Sequence, residues 1–187
     1  MEIIIDTEST GLTRLSYANN LNYKQWPRLL QLAWAIVADG KIIERRDMLI
    51  QPIDFTIPAK ATQIHGITQE QASNEGIPIT AALKEVQQAF QKCDRVIAHN
   101  LNYDLGILES EALRLDRRLE LPTERTCTVH WGRKYLVQMR GIRQGGYPKL
   151  SQLYENLFGF TYPNAHDAAG DVTACFHVYK KLKTLGF

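Results

Sequence analysis

Cysteine is scarce: Cys93, Cys127 and Cys175 are odd in number, widely spaced and form no CxxC pair. That argues against a disulfide framework and a structural zinc, and points to reduced thiols and a cytoplasmic setting. Long apolar runs are missing as well. The opening Ile3-Ile4-Ile5 is far too short for a signal peptide or a membrane span, so no membrane partner is expected. Charge of one sign is lacking, since 22 Lys and Arg stand against 20 Asp and Glu. A net charge of +2 does not announce a nucleic-acid partner, and any basic surface has to come from local clustering. There is no low-complexity tract, repeat or linker. What remains is 187 residues at 44% hydrophobic, enough for one full core and too little for two ordinary domains. Residues 1–187 therefore read as a single domain.

Residues 2–7 read as a short buried strand, ending at the acids Asp6 and Glu8. Residues 29–38 and 41–50 read as two longer strands, and Asp39-Gly40 between them is a hairpin signal. The polar, aromatic stretch 13–28 is a surface loop. Its Tyr17, Tyr23 and Trp26 either stack on bases or pack the loop down. Helical character sets in from Thr56. Thr80 N-caps a helix through about Lys92, with Leu83, Val86 and Phe90 on one face. Residues 95–99 form a short strand, followed by a helix to about Leu115, and 126–129 a last strand leading into another helix. Residues 150–158 form a short helix with Gly159 as its C-cap, and 167–185 a long closing helix. A hairpin followed by alternating strands and helices implies an α/β fold, a mixed sheet flanked by helices.

The acids stand where a purely structural protein would not put them. Asp6 and Glu8 are two apart on a strand and project to one side, although an Asp closing a strand is also ordinary turn chemistry. Asp104 falls in line with Leu108, Ala112 and Leu115, the core-facing stripe of its helix. A buried acid is costly unless paired or bound to a metal; a place near the helix start would instead let it cap free amides. Asp171 begins the stripe Ala174, Cys175, Val178 and Leu182 in the same way. His166 lies five residues earlier, about 140° away on an ideal helix. It shares a site with Asp171 only from an entry turn, which Pro163-Asn164 supports. Converging carboxylates repel and cannot all stay ionised. Hard divalent cations are the usual remedy, since Mg²⁺ prefers oxygen ligands. Two of them roughly 3.5–4 Å apart clamp the attacking and leaving oxygens of a phosphodiester displacement. The residues lead this far, but not to a substrate or a polarity.

The segment IIIDTESTGL (3–12) resembles the first motif of the DEDD exonucleases, DxETTGL, with Ser9 for the more frequent Thr. QIHGIT (63–68) resembles a segment of the branch containing the proofreading subunit of bacterial DNA polymerase III. AHNLNYD (98–104) is similar to the HNxxFD motif, with Tyr103 for Phe, and HDAAGD (166–171) to HxAxxD, the mark of the DEDDh subtype. PRLLQLAWAIV (27–37) resembles the family's second strand. The motifs run in the expected order over residues 3–171.

The resemblance implies a ribonuclease H-like fold, two Mg²⁺ or Mn²⁺ ions, and 3′→5′ hydrolysis from the free 3′ end of a nucleic-acid strand, DNA being favoured. Asp6 would bridge both ions, Glu8 and Asp171 would complete the site of the water-activating one, Asp104 would serve the second, and His166 would be the general base. Gly11, Leu12, Ile64, His65, Asn100 and Tyr103 match positions that hold the terminal nucleotide. An oligoribonuclease-like RNA-trimming enzyme and a non-catalytic nucleic-acid-binding module are the alternatives. With Phe187 one helix beyond Asp171, an enzyme acting alone or binding a partner through its surface is expected.

Between Gly132 and Tyr154 there are five basic residues and no acid: Arg133, Lys134, Arg140, Arg143 and Lys149. With Gly141, Gly145 and Gly146 this reads as a mobile arm that neutralises phosphates, or as a solvated loop. His130, Trp131 and His177 read as structural. His99 lies near the site with no chemical role.

Overall fold

The computed structural model describes residues 1–142, 146–163 and 165–187. Its centre is β1 (Glu2–Ser9), where Ile3, Ile4 and Ile5 are fully buried because the strand has a layer of helices on each face. β2 (Leu29–Ala38) and β3 (Lys41–Leu49) follow as the expected hairpin, turning at Asp39 and Gly40, both at positive φ. Next come α1 (Ala59–His65), α2 (Gln69–Glu75), α3 (Ile79–Gln91), β4 (Arg95–Ala98) and α4 (Leu101–Arg114). β5 (Glu124–Cys127), α5 (Thr128–Arg140), α6 (Leu150–Phe158) and α7 (Ala168–Thr184) complete the chain.

The strands lie in the order β3-β2-β1-β4-β5, antiparallel across the hairpin and β1–β2, parallel across β1–β4 and β4–β5. This is the mixed sheet expected. Alternation along the strands divides the core. Ile3, Ile5, Leu32, Trp34 and Ile36 face α3 and α4, whereas Ile4, Ala33, Ala35 and Val37 face α5, α6 and α7. The alanines on β2 leave room for α7 to lie close against the sheet. β4 pairs with β1 only from Glu2 to Ile4, so beyond Ile4 that edge of β1 is free. The start of α4 enters there.

Several boundaries differ from expectation. β1 runs on to Ser9, still paired with β2, so Asp6 and Glu8 lie within the strand. The α3 N-cap is Pro78, whose carbonyl accepts the Ala81 and Ala82 amides; Thr80 sits inside the first turn. β5 ends at Cys127, before the expected 126–129, because its register with β4 runs from Arg95↔Glu124 to Ala98↔Cys127 and Thr128 already starts α5. The helical stretch after Thr56 divides at Gly66, whose φ of 77° ends α1 and turns Ile67 inward.

The loop 13–28 contains a 3₁₀ turn (Tyr23–Gln25) and is tied to α4. Trp26 is buried against Gly106 and tilted on Tyr103, with ring centroids 6.2 Å apart. Buried Glu111 accepts from Arg28 Nε (2.9 Å) and the Leu29 amide (3.1 Å), and Arg114 donates to the Trp26 carbonyl. Trp26 thus packs the loop down, while Tyr17 stays exposed. A Cβ at Gly106 would stand 2.0 Å from the Trp26 ring. Gly106→Ala should therefore displace Trp26 and cost about 1–3 kcal/mol by overpacking. Urea unfolding followed by tryptophan fluorescence checks this; an unchanged midpoint and spectrum would show that the loop yields without loss.

Candidate active site

The site is built from both faces of the sheet at the far end of β1. Asp6 and Glu8 share the Ile4 side of the strand, toward α7. Thr7 and Ser9 point the other way, toward α4, and Thr7 Oγ1 donates to Asp104 Oδ1 at 2.9 Å. Asp104 and Asp171 stand in the first turns of α4 and α7, only 3% and 9% exposed. Two helix N-termini therefore point their partial positive charge at the carboxylates. α4 is entered through Asn100 at φ 80°, and α7 through Asp167, whose side chain caps the Gly170 amide at 3.2 Å.

That support does not offset the crowding. Burial, and then Asp104, Asp171 and Glu8, push Asp6 well above the carboxylate range. Glu8 is pushed up to about 8 by burial first, then by Asp171 and Asp104. Burial also pushes Asp104 up to about 7, against the bond from Thr7. Asp171 is raised by burial, against the 2.6 Å hydrogen bond that Tyr162 donates to its Oδ1. Glu8, His166 and Asp171 each offer a ligand atom, all within 4.8 Å of one another. A set of mutually repelling oxygen donors fits a hard divalent cation of the Mg²⁺ or Mn²⁺ kind. His166 is exposed, at φ 67°, close enough to address either an ion or a water beside it.

These groups line a cleft of about 600 Å³, with Asp104 buried behind Thr7. Gly11, Leu12, Ile64, His65, Asn100 and Tyr103 line it too. Leu12 is 89% and Ile64 60% exposed, an apolar wall open to solvent. His65 Nδ1 accepts from the Ile67 amide at 3.1 Å, which leaves the proton on Nε2, and burial lowers its pKa. The Tyr103 hydroxyl donates to the Gly11 carbonyl and lies 2.6 Å from Ser9 Oγ, which also reaches that carbonyl at 2.9 Å. The two departures from the motifs, Ser9 and Tyr103, thus meet in one interaction.

Tyr162, Thr7 and Ser151 also line the cleft, and sequence reasoning gave them no role. Tyr162 lies four residues before His166, in a segment with no periodicity to mark it. His99 is a staple: its ring nitrogens lie 2.9 Å from Thr128 Oγ1 and from the Pro148 carbonyl. A carbonyl only accepts, so Nε2 carries the proton, and burial holds the ring neutral with a pKa of about 4. His130 packs edge-on to Tyr147, Trp131 stacks on Tyr179, and His177 bonds Tyr154. Of the basic run, Arg133, Lys134 and Arg140 are exposed on α5 and Lys149 lines the cleft itself. Arg143, Gly145 and Asn164 lie outside the described residues. Among those described, no helix is long and apolar enough to cross a membrane, and the three cysteines are free thiols.

A family model for the RNase T exonucleases, described as "Exonuclease", matches residues 3–179. The chain is 29% identical to the 3'-5' exonuclease DinG of Bacillus subtilis, over 99% of this chain and 18% of that protein. It is 26% identical to a DNA polymerase III subunit epsilon-like protein of Rhodobacter capsulatus, over 96% of this chain and 23% of the other. A structure of exonuclease I superposes with a TM-score of 0.80 at 22% identity, covering 98% of this chain and 40% of the other. Escherichia coli exonuclease I in complex with a dT13 oligonucleotide gives 0.78 at 20%, covering 98% and 41%. The likeness bears on the fold, which is ribonuclease H-like. The chain spans less than a quarter of the length of these curated relatives.

The raised carboxylates make a statement about stability. From 4.5 and 3.8 in the unfolded chain, Glu8 and Asp104 rise to about 8 and about 7. The native state therefore keeps protons that the unfolded chain has released. This contribution to metal-free stability is complete below the unfolded values and is lost as pH rises to about 8. In chelator, the melting temperature should fall from about pH 5 to about pH 8, and Glu8→Gln should flatten the fall. A wild-type curve that stays level or climbs over that range would contradict the assignment.

Proposed function

The chain belongs to the RNase T exonuclease family, that of the DEDD exonucleases, and on that premise we propose that it removes nucleotides one at a time from the 3′ end of a DNA strand. Residues 1–187 act in this reading as one exonuclease domain of the DEDDh subtype. The observation that carries it is the convergence of Glu8, His166 and Asp171 within 4.8 Å, beside Asp6 and Asp104, in a cleft with an apolar wall.

Asp6, Glu8, Asp104 and Asp171 would hold two Mg²⁺ or Mn²⁺ ions. When bound, such ions supply the positive charge that lets the carboxylates ionise together and offsets charge building on the phosphate. His166 takes the proton of the attacking water, and its exposed place in the entry turn brings it to the rim of the acids. Leu12, Ile64 and Tyr103 give the terminal nucleoside an apolar surface, and His65 and Asn100 flank it. Gly11 lets backbone approach the strand closely. Lys149 meets a phosphate at the mouth of the cleft, and the α5 basic groups continue that charge along the strand. DNA is favoured over RNA because the exonuclease I relative is described bound to a deoxyoligonucleotide. Comparing end-labelled single-stranded DNA, double-stranded DNA and RNA tests activity, polarity and sugar class together.

Asp6→Ala and Asp171→Ala should abolish hydrolysis in a folded protein, and wild-type activity should vanish in chelator and return with Mn²⁺ or Mg²⁺. Full cleavage in chelator would rule the mechanism out. His166→Ala should keep its fold and Mn²⁺ affinity but lose roughly a hundred- to ten-thousand-fold in rate. Near-normal turnover by a metal-loaded mutant is decisive against the base. Neutralising Arg140, which lies outside the cleft lining, together with Arg143 should weaken long-strand binding and reduce its salt slope by up to about one per lost phosphate contact. Hydrolysis of a minimal nucleotide ester should change little, and an unchanged affinity and slope would leave a merely solvated loop.

A further inference from the structure

His166 occupies a backbone conformation that a side-chain-bearing residue adopts at a cost, φ 67°, and keeps only where its surroundings impose it. Those surroundings are identifiable. On its N-terminal side Tyr162 is tied to Asp171. On its C-terminal side the next two residues, Asp167 and Ala168, are both held by one side chain from another layer, Gln31 of β2.

Gln31 is 5% exposed and lies directly across from Glu8 in the β1–β2 register. Its Nε2 donates to Asp167 Oδ1 at 2.9 Å and to Asp47 Oδ1 at 2.8 Å, and its Oε1 accepts the Ala168 amide at 3.2 Å. Both amide protons and the carbonyl oxygen are thus used. The amide stands between two carboxylates that would otherwise face each other. It also joins the strand paired with the Glu8 position to the turn from which His166 projects. Asp167 in turn caps Gly170 and accepts from the Asp171 amide through its backbone carbonyl, so one clamp spans the stretch from Asp167, the residue next to His166, to Asp171.

We propose that Gln31 is a positioning residue for His166: it fixes the entry turn of α7 so that the imidazole stays in register with Glu8. This rests on the reading of His166 as the base. A purely structural Gln31 would stitch β2 to α7 and affect stability alone.

The test is a double-mutant cycle on single-stranded DNA with Mn²⁺, using wild type, Q31L, H166A and Q31L/H166A, with Mn²⁺ affinity measured by calorimetry. Q31L should lower kcat roughly ten- to a hundred-fold, with KM and Mn²⁺ affinity within about twofold. Added to H166A, it should cost less than about twofold, because the group it positions is gone. Q31E can still accept the Ala168 amide but cannot donate to Asp167; it should fall as far as Q31L, and serves in its place should Q31L not fold. D47N, which leaves both bonds from Gln31 to α7, should turn over at the wild-type rate. Equal losses from Q31L with and without His166 would overturn the proposal. So would a fall in Mn²⁺ affinity matching the fall in rate, or a D47N loss equal to that of Q31L. An additive cycle with an impaired H166A sinks the Gln31 role alone; a fully active H166A sinks the base and this inference with it.

Discussion

Asp6, Glu8, Asp104 and Asp171 are crowded so closely that burial and repulsion push all four above the ordinary carboxylate range. Everything around them can be understood as holding that arrangement against its own repulsion. Two helix N-termini are aimed at the acids, Thr7 donates to one and Tyr162 to another, and β1 presents a third and fourth on a strand buried on both faces. The stability that keeps the group together comes from elsewhere, from the large residues toward α3 and α4 and the close fit of α7 on Ala33 and Ala35. A protein that relaxed this strain by itself would have nothing to offer a cation. Local inconsistency at a functional site, offset by a consistent core, is the pattern seen here.

The free edge of β1 is what makes the convergence possible. Had β4 continued alongside β1 past Ile4, backbone would fill the space that α4 enters, and Asp104 could not reach the level of Thr7. The short parallel pairing and the long antiparallel one divide the labour. One admits a helix end, while the other keeps Asp6 opposite Ala33 and Glu8 opposite Gln31.

Much of this was legible in the chain because it is periodic. The Asp39-Gly40 hairpin, the stripe through Asp104, Leu108 and Ala112, and the one beginning at Asp171 are local patterns, and the structure keeps them. Asp104 is buried on the core-facing stripe, as its spacing implied, and its carboxylate accepts from Thr7 Oγ1. Asp6 and Glu8 do not end their strand, because pairing with β2 carries it on to Ser9. Thr80 misled because a proline carbonyl two residues earlier already starts the helix. What stayed hidden is long-range: Gln31 meets Asp167 across 136 residues, and His99 meets Pro148 across 49. Side chains of this kind show no spacing of their own in sequence. They become visible only when two layers meet.

The Gly11 turn carries one more consequence. Its carbonyl is within reach of two hydroxyls, Tyr103 and Ser9, which also lie against each other. Either alone can donate to it, so the turn is held redundantly. Loss of either hydroxyl alone, as in Ser9→Ala or in Tyr103→Phe, which keeps the aromatic ring against Trp26, would leave the turn held by the other. Only the second replacement would release the turn, and its effect would depend on the first. The tolerance of each position is borrowed from its neighbour, and the history of one constrains the future of the other.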